Sequence, residues 1–380
     1  MTANHFDYII VGNGLAGLQL ALALSQDAFF KSKQIALIDK SKKNTNDKTW
    51  CFWEKNSGKW DDIVSNTWTK GIFHSDKNSL SLNLDPYLYK KIRSIDFYEY
   101  AIRRIEQNKN FTFIYDEIKE VQEENLLSVK GKIQNYFCNH IFDSRLPSSF
   151  FEENDKFTRI YQHFKGWTIE TDSDVFDPDK FVMMDYRIKH LNDTTFTYIL
   201  PFSKRKALVE FTFFTPYVVK SDLYNDYLKD YISSILKIDN YKIVDEEVGN
   251  IPMTNYPFDQ DNSKSVTKIG TGGGWVKGST GYSFKHTEKK ISKIISNLKN
   301  NRIPSTGLFK QKFRFYDTVF LNVLKNENDK GEWIFDRFYS KNSIQQMFKF
   351  LDEETSLPEE IRLISPLFSW TFLKSFFKTL

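Results

Sequence analysis

The chain has 380 residues, with 53 Lys and Arg against 49 Asp and Glu, and two cysteines. Its 27% charged and 40% apolar residues are the balance of a folded protein and exclude a disordered one. A net charge of +4 is too mild for a nucleic-acid binder, although it suits an anionic membrane surface. Cys51 and Cys138 support neither a disulfide framework nor a metal site, so no metal is expected and a reducing compartment is the simple inference. The length allows two substantial domains or one composite domain. Thirty-five Phe place unusually many rings in the core or around a hydrophobic ligand.

Phe6–Val11 is a short apolar run that reads as a buried strand. Gly12-Asn13-Gly14-Leu15-Ala16-Gly17 follows in the spacing G-x-G-x-x-G, and Leu18–Leu24 continue with helix formers. Gly12 permits a tight turn, Gly14 lets backbone approach a pyrophosphate, and Gly17 lets helix and strand pack closely. Gln34–Ile38 is a second apolar run ending on Asp39, 22 residues after Gly17, where a carboxylate can accept hydrogen bonds from a ribose. Gly12, Gly14, Leu15, Ala16, Gly17, Asp39 and Lys40 are therefore candidate dinucleotide contacts. The acid points to an unphosphorylated ribose, as in FAD or NAD. Tyr8–Gln26 carries no charge, but its glycines and its division between strand and helix argue against a membrane span, and no signal peptide precedes it.

Asn46–Trp53 concentrates two tryptophans, a phenylalanine and a cysteine after a lysine-rich turn. Those rings either pack a loop or line a flat, greasy ligand. Leu88, Ile92, Ile95 and Tyr98 predict a helix over Asp85–Arg104. Phe111–Tyr115 and Tyr136–Phe142 read as strands. The second runs into Asp143-Ser144-Arg145, which makes Asp143 and Arg145 candidates beside the cofactor. Phe164–Pro216 is a succession of alternating or aromatic strands separated by turn-forming pairs, hence an antiparallel sheet inserted into the nucleotide-binding unit. Glu210 lies mid-strand on the face of Leu208, Thr212 and Phe214. It is either a buried acid or the solvent side of an edge strand.

Leu223–Ile238 reads as a helix and Glu247–Thr254 as a strand leading back. Ile269–Phe284 carries Gly270, Gly272, Gly273 and Gly274 among aromatic residues and is a second candidate cofactor contact. Ser340–Leu380 is helical in pattern, with Ser365 able to cap a helix at Pro366. Thr371, Lys374, Ser375 and Lys378 form one stripe beside a wide Phe/Leu face, which serves equally an interfacial membrane helix or a docked terminal helix. The expected fold is α/β: an FAD-binding, Rossmann-like parallel sheet (1–110 and 247–290), a β-hairpin and return strand (111–150), an inserted antiparallel substrate domain (151–246) and C-terminal helices (291–380).

At Thr49-Trp50-Cys51-Phe52-Trp53-Glu54, downstream of VGNGLAGLQLA, the chain resembles lycopene cyclases of the bacterial flavoprotein type. IFDSR at Ile141–Arg145, FDPDKFVMMDYR at Phe176–Arg187, LPFSKRKALVEFTFF at Leu200–Phe214, EVGNIPM at Glu247–Met253, GTGGGWVKGSTGYSF and FLDEETSLPEE at Phe350–Glu360 follow in the family's order. Lys48 stands where the family often has arginine, and Phe211 where plant relatives have a second glutamate. Phe350–Thr355 superficially resembles the acidic motif of plant cyclases, but by order along the chain that motif matches Leu208–Thr212. Asp352, Glu353 and Glu354 are read as a solvated helix-end cluster.

The resemblance implies a redox-neutral isomerase (an intramolecular lyase) that closes the ψ ends of lycopene into β-ionone rings, through γ-carotene to β-carotene. It implies reduced FAD, with NAD(P)H as reductant, and Glu210 as the proton donor. Trp50, Phe52, Trp53 and Trp275 are candidates to steady the cation. A carotene does not diffuse through cytosol, so peripheral attachment to the cytoplasmic face of the cell membrane is expected. The alternatives are an FAD-dependent oxidoreductase, a monooxygenase or prenyl reductase acting on an apolar isoprenoid, and a non-catalytic carotenoid-binding protein.

Overall fold

A computed structural model describes residues 5–123, 126–152 and 156–379. The first strand, His5–Val11, lies between Ile35–Asp39 and Asn135–Asp143, parallel to both. Phe111–Tyr115 and Val266–Lys268 extend the parallel set at either side, and the antiparallel strands Ser128–Gly131 and Ile118–Gln122 complete a seven-stranded sheet. Helix Leu15–Gln26 follows the glycine turn, buried along most of its length, as its uncharged sequence requires. It packs with helices Ser94–Glu106 and Phe284–Lys299.

The second seven-stranded sheet runs Tyr241–Thr254, Arg159–Thr171, Lys206–Thr215, Thr194–Ser203, Lys180–Asp185, Lys70–His74, Ser79–Asn83. Every neighbouring pair is antiparallel except Lys180–Asp185 with Lys70–His74. Helix Ser221–Asp230 and its π-turn Tyr231–Ile235 cover one face, against Trp167, Ile169, Val209, Phe211 and Phe213. The opposite face meets the C-terminal helices through Leu208, Phe214, Phe196, Leu321, Ile334, Met347 and Leu363. Both faces being covered, all of Ala207–Thr215 is buried. A three-stranded sheet of Thr49–Lys55, Tyr87–Arg93 and Asn66–Trp68 joins the two layers.

Four segments differ from the sequence-based expectation, the last of them at the C-terminal helix. Residues 87–93 form a strand, and the helix begins only at Ser94. Their apolar residues satisfy helical spacing, but Tyr87 and Tyr89 share a buried face, and Lys90 is drawn inside by Glu54 at 2.9 Å and Asp61 at 2.5 Å. Glu247–Thr254 is part of a longer strand, Tyr241–Thr254, at the edge of the antiparallel sheet, and Val266–Lys268 makes the return instead. An edge position tolerates Lys242, Asp245 and Glu246 and leaves Pro252 no ladder bond to break. Residues 70–83, taken as part of the nucleotide unit, belong to the antiparallel sheet, so the chain enters that layer before the expected insertion.

Ser365 opens a short 3-10 turn, Ser365–Leu367, and the last helix starts afterwards, at Trp370–Thr379. That helix turns its hydroxyls inward: Thr371 donates to Glu327, Ser375 to the Val319 carbonyl, and Thr379 accepts from Asn322. Lys374 and Lys378 are exposed, and Phe368, Trp370 and Phe377 are 71%, 81% and 69% exposed. Leu380 lies outside the described residues. No helix among the described residues is long and apolar enough to cross a membrane.

Candidate active site

The parallel strands end in a glycine-built cradle. Gly12 has φ of +97°, and a Cβ on Gly17 would stand 1.9 Å from the Gly12 carbonyl oxygen, so both positions exclude side chains. At Gly14, the start of helix Leu15–Gln26, a Cβ would meet nothing within 4 Å. Gly270, with φ of +60°, faces Ala16 from the second glycine segment. Gly14, Leu15, Ala16, Gly17, Ser144, Gly270 and Thr271 line one end of a cavity of about 1240 Å³, beside Lys43 and Lys48.

Asp39 ends its strand beneath the cradle and, like Gly12, is not among the residues that line the cavity. It accepts from the Asn13 N–H at 2.7 Å and the Ser41 N–H at 3.1 Å, with Lys43 at 3.5 Å. The Asn13 side-chain oxygen is buried without a partner. Open space at a helix N-terminus and two lysines fit the diphosphate of a dinucleotide.

Other candidates stand elsewhere. Lys40 is exposed and outside the cavity wall. Asp143 is closed into an ion cluster, with Arg145 at 2.9 Å and Lys268 at 2.9 Å, while Ser144 between them faces the cavity. Gly272 and Gly273 serve close packing: a Cβ there would strike the Arg145 and Lys268 carbonyls at 2.2 and 2.4 Å. Gly274, with φ of +67°, packs on Phe258. Asp143 and Arg145 are expected beside the cofactor, but their attraction for each other and for Lys268 keeps both off the cavity wall.

From the cradle the cavity runs between the antiparallel sheet and the C-terminal helices. Its walls are ring-rich, with Phe164, Phe196, Phe335, Phe338 and Phe372 among them. Its volume exceeds the ~300–1,000 Å³ of ordinary small-molecule sites, and suits a dinucleotide beside a long apolar guest. Trp50, Trp53 and Trp275 line it. Trp53 stacks on Phe348 at 4.3 Å and donates its indole N–H to Asp352, while the Trp275 indole N–H is buried and unpartnered. Phe52 does not reach the cavity: it is 2% exposed and stacked on Phe284 at 4.7 Å. Asp352, Glu353 and Glu354 do end a helix, Ile344–Leu351, pairing with Lys289 and Lys277, and none of them lines the cavity. Asp352 is nevertheless substantially buried, which raises its pKa.

Glu210 lies midway along this cavity, 7% exposed, on the face of Leu208 and Phe214, as alternation requires. Thr212 donates to it at 2.9 Å. Burial, and then the charge of Glu247, push its pKa well above the usual carboxyl range. Glu247 lines the same cavity from the edge strand and accepts from Thr49 at 2.9 Å; burial raises its pKa also. The strand register explains the encounter: Tyr198, Glu210, Gly166 and Glu247 form one row across four strands. The Tyr198 row-end joins a phenol cluster, in which the Tyr89 hydroxyl lies 2.8 Å from those of Tyr198 and Tyr282. Cys51 adjoins it, its thiol pushed by burial to about 11 and so kept protonated.

Sequence reasoning quoted Glu247 in a motif without giving it a role. Its exposed neighbours on an edge strand concealed that it faces inward. The signal in the sequence is that Glu247 shares a period-two face with Gly249, Ile251 and Met253.

The family described as lycopene cyclase protein matches residues 7–376. The chain is 27% identical to a chloroplastic lycopene beta cyclase of Arabidopsis thaliana over 318 residues, covering 74% of this chain and 58% of that protein. It is 25% identical to a chloroplastic neoxanthin synthase of Solanum lycopersicum over 313 residues, covering 73% and 57%. The chain thus spans somewhat over half the length of these relatives. Among solved structures, a geranylgeranyl bacteriochlorophyll reductase-like protein of Thermoplasma acidophilum superposes with a TM-score of 0.63 at 9% identity, covering 100% of both chains. A flavin-dependent brominase superposes with a TM-score of 0.56 at 12% identity, covering 95% of this chain and 93% of the other. Those two likenesses extend to the fold. By the match along nearly its entire length, the chain belongs to the lycopene cyclase family.

Proposed function

We propose that the protein is a lycopene beta-cyclase, closing ψ ends of lycopene to β-ionone rings and giving γ- and then β-carotene. The observation that carries this reading is a carboxyl group biased to its neutral form, Glu210, in a ring-lined cavity continuous with a dinucleotide cradle. An alkene is a very weak base, so its proton donor must stay protonated and dry until the carbon arrives. Glu210 meets that demand. It transfers its proton to the terminal double bond; ring closure follows through a carbocation, and loss of a ring proton ends the reaction. Trp53, Trp50 and the Tyr198 cluster line the path, where aromatic quadrupoles favour a cation.

The cofactor in this reading is FAD, with its diphosphate at Gly14–Gly17 and its ribose towards Asp39. In reduced form it would supply negative charge beside the cation without net electron transfer, and NAD(P)H would keep it reduced. The substrate enters from a membrane in this account. Ile361, Ile364, Phe368, Phe372 and Phe376 line the cavity's far end, next to exposed Trp370 and Phe377. Peripheral seating of this end on the cytoplasmic face lets a carotene pass without crossing water.

The competing reading, an FAD-dependent oxidoreductase on an apolar isoprenoid, shares the fold. Electron accounting separates the two. With lycopene in vesicles, reduced FAD and an anaerobic buffer, cyclised carotene should accumulate over many turnovers without stoichiometric loss of NAD(P)H. Consumption of one reductant per product would select a reductase, and product formed only when oxygen is admitted would select a monooxygenase.

A further inference from the structure

Gly166 stands between Glu210 and Glu247 in their row across the sheet. It lies in the strand Arg159–Thr171, opposite Glu210 on one neighbour and Glu247 on the other. A Cβ at 166 would come within 3.2 Å of Glu247 Cγ, 3.3 Å of Glu210 Cβ and 2.8 Å of Leu208 Cδ1. Strands two apart in a sheet are separated by roughly 10 Å, too far for carboxyls whose side chains stand straight up. The gap over Gly166 leaves the two room to lean towards each other, and the charge of Glu247 is felt at Glu210.

Their surroundings differ. Glu210 has one hydroxyl donor, Thr212, and the tyrosines Tyr198 and Tyr282 nearby. Glu247 has the Thr49 hydroxyl and the positive charge of Lys91, which both favour its anion, against Asp245 on its own strand. Cys51 lies near Glu247, and Tyr89 joins Tyr198 and Tyr282; burial holds Cys51 and Tyr89 neutral. Two carboxyls in contact share one proton more readily than they carry two charges or none.

We propose that Glu247 is a second catalytic residue, taking the proton that the closed ring expels and returning it to Glu210 across the gap over Gly166. This rests on the cyclase reading. The cycle starts with Glu210 protonated and Glu247 ionised. The Glu210 O–H bond breaks as a C–H bond forms on the terminal alkene carbon. The next double bond supplies the electron pair that closes the ring. A ring C–H bond then breaks, its electrons become the ring double bond, and the proton passes to the Glu247 carboxylate. Transfer from Glu247 to the Glu210 carboxylate restores the start, with no proton or electron gained or lost. Gly166 is a positioning residue.

The test uses the purified full chain loaded with FAD, in three variants: Glu247→Gln, Glu247→Asp and Gly166→Ala. Infrared titration of the protonated-carboxyl band and the pH profile of turnover are the readouts. Turnover should fall as pH rises through the Glu210 pKa. Removing the Glu247 charge lowers that pKa, so in Glu247→Gln both the band and this limb should move to lower pH. Turnover should drop about 10²-fold or more, and partly recover in Glu247→Asp. Gly166→Ala should shift the same limb with both carboxyls present. Wild-type turnover with an unmoved limb in Glu247→Gln overturns the proposal, as does lost turnover with an unmoved band. If the wild type forms no cyclised product, the cyclase reading and the Glu247 role both fail, while the infrared shift still reports whether the carboxyls share a proton.

Discussion

Phe211 stacks on Tyr227, ring centroids 4.6 Å apart and planes 8° from parallel, on the face of the sheet opposite Glu210. The contact seals the strand Lys206–Thr215 from behind and leaves Glu210 no route to solvent on that side. It also decides what an acid at position 211 would do. Phe211→Glu, the residue pair of the plant relatives, would bury an unpaired carboxyl among Tyr227 and Phe213. We expect destabilisation by about 3 kcal/mol or more and no gain in turnover, read from denaturant unfolding and pigment yield.

The two central glycines of the cradle should fail in different ways. Gly17→Ala places a methyl 1.9 Å from the Gly12 carbonyl oxygen, so the turn itself must shift, and thermal stability should fall with or without flavin. Gly14→Ala meets open space, so the protein should unfold at its normal temperature yet lose FAD, because the methyl occupies the ligand's approach. Differential scanning fluorimetry and flavin retention on a desalting column separate the outcomes.

The raised pKa of Glu210 makes stability fall with pH. In the unfolded chain a glutamate releases its proton near its ordinary value, whereas folded Glu210 holds it to higher pH. The unfolded state therefore binds fewer protons between those two values, and its share of stability, whole below the unfolded pKa, is lost as pH rises through the folded one. Glu210→Gln removes that slope. Thermal melts across mildly acidic to alkaline pH should show a smaller decline for the variant than for wild type.

Much of the fold was readable from period and punctuation. The parallel core and the antiparallel strands follow from alternation and glycine spacing, whereas alternation gives Glu210 its neighbours on one face and leaves open whether that face is buried. What escaped were facts of pairing. Tyr87–Arg93 looks helical until Lys90 finds Glu54 and Asp61, which are far along the chain. Asp143 and Arg145 look like ligands until Lys268 closes their cluster. Glu247 acquires a partner only through the register of three strands, which no local pattern encodes.

The last helix supplies a prediction about membranes. Its hydroxyls face Glu327, Val319 and Asn322, so replacing the exposed rings leaves its docking contacts in place. Phe368→Ser, Trp370→Ser and Phe377→Ser together should lower binding to anionic vesicles by at least 10-fold, each ring contributing about 1.5–3 kcal/mol when fully buried. The melting temperature should stay within about 2 °C of wild type, since exposed positions contribute little to the fold. Unaltered vesicle binding in a sedimentation assay would remove this helix from the membrane contact.

Pigment analysis in cells that accumulate lycopene, comparing wild type with Glu210→Gln, tests the proton donor most directly. Wild type should convert lycopene to γ- and β-carotene. Glu210→Gln should accumulate as folded, flavin-loaded protein and cut conversion by about 10²–10⁴-fold, the usual contribution of a positioned acid. Cyclised carotene at wild-type levels from Glu210→Gln, or unchanged lycopene from the wild type, would contradict the account.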